Sequence, residues 1–197
     1  MTAGSFVKHV GSSVVDANLL WLARPYQVVS AGDERFSATL ERIAATLQDP
    51  GGGVHRYARD TFYGGGSWPL LTADLAQVRL ARGERAEAER LLDWIEAQAT
   101  PDGDIPEQVA THANDPAYLP EWVDRWGTSA CPLLWSHAAY LRLLVAFEAN
   151  GASDGPDAGS DAGPRDAPGG SANGTTNESE SASGRARSAA DGRAHAR

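Results

Sequence analysis

The sequence predicts an all-α fold in which amphipathic outer helices pair with more buried inner ones. Three observations predict it. Apolar residues recur at steps of three and four along several segments. Clusters of Gly, Pro and Asp separate these segments. No segment keeps the strict alternation of apolar and polar residues that is typical of a half-buried strand. The pattern is typical of an α/α toroid, although an ordinary helical bundle would look similar.

The composition divides the 197 residues into two parts. Residues 151–197 contain no Val, Ile, Leu, Met, Phe, Tyr or Trp. Such a segment cannot bury enough apolar surface to offset the entropy lost on ordering. We therefore expect one folded domain over residues 1–150 and a disordered low-complexity tail over residues 151–197.

The charge of the chain excludes one class of partner. The formal net charge is -9, and the sequence pI is about 4.9. An acidic chain repels phosphate backbones, so we expect no nucleic-acid partner. Lys8 is the one lysine among seventeen basic residues. That bias fits either a halophile, whose proteins stay soluble in high salt, or a GC-rich genome.

Other signals are missing from the sequence. No apolar run reaches the ~18 residues of a membrane helix, and the N-terminal residues have no h-region of a signal peptide. We therefore expect no membrane partner and a cytoplasmic location. The single cysteine, Cys131, allows no internal disulfide. The histidines show no metal-ligand spacing, so we expect neither a metal nor another cofactor.

The first helical segments are marked by their ends. Residues 14–23 form a short apolar segment that Pro25 ends. Asp33 is placed as an N-cap, and the helix after it has its apolar residues on one face: Phe36, Leu40, Ile43 and Leu47. The run from Asp49 to Gly53 ends this helix.

The next two helices should form a hairpin. One spans residues 67–82 and is predicted to bury one side, made of Trp68, Leu71, Leu75 and Val78. Gly83 is placed as the residue that follows its C-terminus. The returning helix spans residues 84–99, with Glu and Arg on its outer face. Two helices joined by so tight a link make an αα-hairpin.

The C-terminal part of the domain begins with a turn over residues 100–104. Ile105, Pro106, Glu107 and Gln108 follow it. Residues 113–129 are predicted to be a long loop, which in a compact domain is usually functional. A last helix over residues 132–149 is apolar nearly all round, so we expect it to be buried.

Four stretches of the chain resemble glycoside hydrolase family fifteen, the group of glucoamylases, glucodextranases and bacterial trehalases. VDANLL at residues 15–20 is similar to the family's DASLL stretch. GVHRY at residues 53–57, with Asp60, two glycines and Trp68, is similar to its Arg-Tyr segment. IPEQ at residues 105–108 is similar to its LPEQ, and LWSHA at residues 134–138 to its LTWSHA. The resemblance covers about residues 14–147, the C-terminal part of the catalytic domain.

The resemblance implies a partial (α/α)6 toroid made of helical hairpins. It also implies exo-acting hydrolysis of α-glucosidic bonds with inversion, on an α-glucan or an α-linked glucose disaccharide. In this chemistry a general acid protonates the leaving oxygen and a general base activates water on the opposite face of the sugar. By position Glu107 is similar to the family's base. The residues that would hold the sugar are Arg56, Tyr57, Asp60, Trp68, Ser129 and Trp135.

The chain also departs from the family pattern. The family's general acid and first helices lie on upstream segments that this sequence lacks, and Phe62 stands where some members have Tyr. We therefore expect a truncated or split reading frame, inactive as an isolated chain. The missing N-terminal part of the catalytic domain would be its partner. Two alternatives stay open: a non-catalytic carbohydrate-binding remnant or subunit, and an α-helical interaction module that binds no sugar.

Overall fold

A computed structural model describes residues 4–151 of the chain. The predicted disordered tail lies outside these residues, except for Gly151. The described part contains five α-helices, which confirms the all-α prediction. Its β-pairing is limited to isolated bridges between Gln48 and Val54, His55 and Ser67, and Ser67 and Val109. The helices are α1 (Glu34–Leu47), α2 (Pro69–Ala81), α3 (Arg85–Ala97), α4 (Leu119–Trp126) and α5 (Leu134–Gly151).

The start of α1 is fixed as the sequence predicts. The side chain of Asp33 accepts hydrogen bonds from the backbone N–H groups of Arg35 and Phe36. This satisfies donors that would otherwise have no partner within the helix. The apolar face of α1 is buried in the core, and each large apolar side chain removed from water stabilises the fold by about 1.5–3 kcal/mol. Its buried residues are Phe36, Thr39, Leu40, Ile43 and Leu47.

Helices α2 and α3 form the predicted αα-hairpin. Gly83 between them has a φ of 77°, a left-handed conformation that glycine adopts at little cost. The prediction for α2 itself needs correction, since it buries much more than one side. Pro69, Asp74, Gln77 and every other residue from 69 to 78 are buried. The reason is that α2 is the central helix, with α3, α5 and the short 3-10 helix Ala17–Leu22 packed around it.

The predicted loop over residues 113–129 is wrong in its central part, which is helical. A 3-10 turn, Pro116–Tyr118, leads directly into α4. Asp115 caps this turn by accepting a hydrogen bond from the N–H of Ala117. Two signals in the sequence favour the helix: prolines in the first turns, and the ion pair between Glu121 and Arg125 four residues apart.

The expectation that the last helix is buried is also wrong. Its inner face packs on α2 and consists of Ser136, Ala139, Leu143 and Phe147. The outer face is apolar yet open to water. Leu134 is 83% exposed, Leu141 58% and Val145 64%. We call these three residues the open stripe of α5. Within residues 4–151, no helix has the length and hydropathy needed to cross a membrane.

Candidate active site

Glu107 lies on an extended segment between α3 and α4. Backbone hydrogen bonds fix this segment on both sides of the residue. The N–H of Glu107 donates to the carbonyl of Ala130 over 2.8 Å, and Val109 exchanges two bonds with Ser67. The side chain of Gln108 accepts a bond from the N–H of Gly66 over 2.9 Å. The glutamate is thus placed by a rigid backbone that joins it to the glycine loop ahead of α2.

That glycine loop, residues 64–66, requires glycine at two of its positions. A Cβ on Gly65 would lie 2.0 Å from the carbonyl oxygen of Asp60, and one on Gly66 would lie 2.3 Å from that of Val109. Tyr63, just before the loop, has a φ of 47° in the left-handed region. A non-glycine residue there costs of order 1 kcal/mol, and such strain is common at functional sites. The loop can therefore pass close to the Glu107 segment.

The carboxyl group of Glu107 is half-buried. Its Oε2 accepts a hydrogen bond from the Ser129 hydroxyl at 3.4 Å, at the long end of the normal range. Burial raises the pKa of Glu107 above its ordinary value, while the Ser129 hydroxyl and the charge of Arg56 offset part of the rise. Oxygen lone pairs of this carboxylate stay free to accept a proton.

Glu107 opens into a cavity of about 400 Å³ with aromatic walls. The ring of Trp122 lies 4.8 Å from that of Phe62 and 5.6 Å from that of Tyr63. Trp126, one turn further along the same face of α4, is 70% exposed. Such rings offer flat apolar faces beside a carboxylate. The cavity is lined by Phe62, Tyr63, Glu107, Trp122, Trp126, Thr128 and Ala130.

Arg56 and Asp60 form a bidentate ion pair next to this cavity. Arg56 donates from Nε and from a terminal nitrogen to the two oxygens of Asp60, over 2.9 and 2.7 Å. Asp60 is 1% exposed and also accepts the N–H of Phe62. The guanidinium lies over the rings of Phe62 and Trp68 at 5.5 and 5.3 Å. Both partners are therefore held in one orientation.

Trp68 and Trp135 lie around a second, smaller cavity of about 160 Å³, together with Arg56. Trp68 is 7% exposed and Trp135 is 52% exposed. The ring of Trp135 packs 5.8 Å from that of Trp21. Sequence reasoning missed Trp21, although it directly follows the VDANLL stretch.

The predicted site residues thus fall into two neighbouring groups. Glu107 lines the larger cavity, and Ser129 bonds its carboxylate without lining that cavity. Arg56, Trp68 and Trp135 line the smaller one, and the buried Asp60 is connected to it through its ion pair with Arg56. Tyr57 lines neither cavity; the Lys8 ammonium lies 3.3 Å and the Arg56 guanidinium 5.1 Å from the centre of its ring. The roles of all these residues in binding or catalysis stay predictions.

Within residues 4–151, no three His, Cys, Asp or Glu side chains group closely enough to hold a metal ion. What the site offers is a half-buried carboxylate, a bidentate Arg–Asp pair and exposed aromatic faces. A carboxylate with a raised pKa can take a proton from water. Charge-assisted bonds and aromatic faces can orient a polar ring. Together these groups suit hydrolysis of a sugar derivative.

Comparisons with known proteins agree with this chemistry. The chain is 49% identical to the isomaltose glucohydrolase of Kribbella flavida over 140 residues, which is 71% of this chain and 36% of that protein. A solved glycosidase structure, a variant in complex with glucose, matches with a TM-score of 0.72 and 46% identity, over 74% of this chain and 39% of that one. A bacterial glucoamylase complexed with acarbose matches with a TM-score of 0.55 and 29% identity, over 70% and 21%. No protein-family model matches the chain.

Fold and sequence therefore make this helical chain similar to glycosidases of the glucoamylase-like class. Its described helices match part of the (α/α)6 toroid of glycoside hydrolase family fifteen-like proteins. The chain spans less than two-fifths of the length of the relatives named above.

Proposed function

We propose that this chain supplies the general base of an inverting, exo-acting α-glucosidase, and that Glu107 is that base. The observation that carries the proposal is the setting of Glu107. Its carboxylate is half-buried, bonds one hydroxyl at long range, and faces an aromatic cavity of about 400 Å³. A water between this carboxylate and a bound glucose ring could lose its proton to Glu107 while attacking the anomeric carbon.

The spacing of substituted residues in the similar glycosidase supports this role. Two of its variants replace a phenylalanine and a glutamate, and these two positions are as far apart along that chain as Phe62 and Glu107 are here. The glutamate variant was studied in complex with glucose. On the same offset, another glutamate substituted in that glycosidase lies outside these 197 residues.

The general acid of the proposed site would therefore come from another segment, the N-terminal part of the same catalytic domain. In inverting enzymes acid and base stand roughly 6.5–9.5 Å apart, so both parts must meet at one cavity. The open stripe of α5 supports such a partner. Its Leu134, Leu141 and Val145 offer an apolar helix face that further helices of a toroid would cover.

The test measures glucose release from isomaltose, maltose and trehalose, by the chain alone and by the chain fused to the unmatched part of the Kribbella flavida enzyme. We expect the chain alone to be inactive and the completed domain to release β-glucose. Glu107→Gln should lower the rate by about 10²- to 10⁴-fold. Glu121→Gln, an exposed glutamate on α4, is the matched control and should keep full rate.

The pH profile tests the same residue. Glu107 must be ionised to act as a base, and burial raises its pKa. The acid limb of the rate profile should therefore lie above the ordinary glutamate pKa. A completed domain that binds glucose but releases none would contradict the proposal and favour a carbohydrate-binding role.

A further inference from the structure

Two adjacent side chains in the first turn of α5 hold the backbone immediately ahead of Glu107. The hydroxyl of Ser136 donates to the carbonyl of Pro106 over 2.8 Å. The N–H of Ile105 donates to Nε2 of His137 over 3.0 Å. Ser136 is 1% exposed, so water does not compete for its hydroxyl. The two bonds thus engage the N–H of Ile105 and the carbonyl of Pro106, which are consecutive residues.

We propose that Ser136 and His137 are positioning residues for Glu107, acting through Pro106 and Ile105. The proposal depends on the proposed function for the role of Glu107. Two bonds to neighbouring backbone groups fix the rotation of the peptide units between them. A third bond, from the N–H of Glu107 to the carbonyl of Ala130, holds the same peptide unit as the Pro106 carbonyl from its other side. The direction in which the carboxylate leaves the backbone is then set by α5.

We call the two bonds from Ser136 and His137 to the backbone of Pro106 and Ile105 the clamp, and the chemistry of each side chain suits it. Ile105 is buried, so its N–H needs a protein partner. Nε2 of His137 can accept that N–H when the ring proton lies on Nδ1. Each of the two polar atoms thus has a backbone partner ahead of Glu107. The Ser136 hydroxyl and the His137 ring nitrogen are directed at the Glu107 segment, which also explains why the adjacent Ser–His pair is not a nucleophile and its base.

The bonds come from side chains, so they can be removed without breaking a backbone ladder. Ser136→Ala and His137→Leu each remove one bond. His137→Gln restores an acceptor, because the amide oxygen of Gln can take the N–H of Ile105. Leu143→Ala is the matched control. It lies on the buried face of the same helix, and it costs stability without touching residues 105–107.

The experiment follows two NMR signals in the labelled full chain: exchange of the Ile105 amide proton, and the pH titration of the Glu107 side-chain carboxyl carbon. In His137→Leu the Ile105 amide should exchange faster, on the order of fivefold, for the loss of one hydrogen bond. In Ser136→Ala and His137→Leu the Glu107 titration midpoint should fall, because a carboxyl that turns toward water loses the burial that raises its pKa.

His137→Gln should keep both wild-type signals, and Leu143→Ala should keep the Glu107 midpoint in spite of its lower stability. An unchanged midpoint in Ser136→Ala and His137→Leu would overturn the proposal. So would an equal shift in Leu143→Ala, since the effect would then be general loosening of the fold.

These signals need no hydrolysis, so they separate the two proposals. A completed domain without activity, together with the expected shifts, would contradict the proposed function and leave the clamp intact. In an active completed domain, Ser136→Ala and His137→Leu should lower kcat by up to about 100-fold with little change in KM, because misplaced reacting groups slow the chemical step.

Discussion

Two carboxyl groups of this protein are taken out of water in different ways. Asp74 on α2 is 1% exposed and accepts bonds from the Trp21 indole over 2.7 Å and from the Arg142 guanidinium over 2.5 Å. Glu107 is half-buried, accepts a 3.4 Å bond from Ser129 and faces a cavity. Burial raises the pKa of both groups.

Burial of a carboxyl group has two different roles in this protein. The partners of Asp74 come from the 3-10 helix Ala17–Leu22 and from α5, so its charge ties three elements together. Glu107 has the same chemical group and the same direction of pKa shift, yet its lone pairs face open space. A raised pKa alone does not separate a structural carboxyl from a candidate base; the partners and the adjoining cavity do.

The largest effect should come from taking away the cation beside Asp74. In Arg142→Leu the buried carboxyl must take up a proton to remain buried. In the wild type, with Arg142 present, Asp74 has a folded-state pKa of about 6. Protonating it in the variant therefore costs about 1.4 kcal/mol for each pH unit above that value. The free energy of unfolding, from urea titrations at pH 8, should therefore fall by about 3 kcal/mol, and by less at pH 6.

Arg125→Ala is the control for that substitution. Arg125 belongs to an exposed ion pair with Glu121, and its loss should cost less than about 1 kcal/mol at either pH. If Arg142→Leu behaved like this control, the buried Asp74 would not depend on its cation, and its structural role would be contradicted.

A smaller effect should appear in the pH dependence of the unchanged protein. The pKa of Asp74 is raised from 3.8 to about 6 in the folded state, so the folded state holds this proton more tightly than the unfolded state. The stabilisation is therefore fully present below pH 4 and is lost as pH rises to 6. The loss is on the order of 2–3 kcal/mol.

Other carboxylates titrate over the same range, so the measurement is a difference between two proteins. Asp74→Asn removes the titrating group and keeps an oxygen for the Trp21 indole. The stability of the wild type minus that of Asp74→Asn should decline between pH 4 and pH 6. A flat difference would show that Asp74 has an ordinary pKa.

The smallest effect concerns Ser129. Its hydroxyl lowers the pKa of Glu107, against the effect of burial. Ser129→Ala should therefore raise the Glu107 titration midpoint further, read from the carboxyl carbon by NMR. The free energy of unfolding should change by no more than about 1 kcal/mol, because the bond is long and partly exposed. A midpoint that fell would mean that Ser129 does not bond the carboxylate.

Much of the fold could be predicted from local signals. Asp33 marks the start of α1 and Gly83 the end of α2 because caps depend on neighbouring backbone groups. Predictions of burial were wrong where burial depends on contacts between residues far apart in the chain. The open stripe of α5 has the composition of a buried face. Its local sequence does not show whether another helix of the described residues covers it. Helix α4 is a different case, because it carries local signals that the loop prediction leaves out: prolines in the first turns and the Glu121–Arg125 spacing.

The candidate site was predictable to a similar extent. The IPEQ stretch led to Glu107, and the structure brings the Ser129 hydroxyl to within 3.4 Å of its carboxylate. The division into two cavities could not be foreseen, because it depends on how Phe62 packs between Trp68 and Trp122. The bonds from Ser136 and His137 span about thirty residues and follow from the fold alone.

Association through the open stripe of α5 would make the measured stability depend on protein concentration. Any association through Leu134, Leu141 and Val145 takes folded monomer out of the unfolding equilibrium. By mass action, the denaturation midpoint then rises as more protein is added. Two variants of this chain can be ranked by their denaturation midpoints when both are measured at one protein concentration. A dilution series on a single variant measures the affinity of association through the stripe.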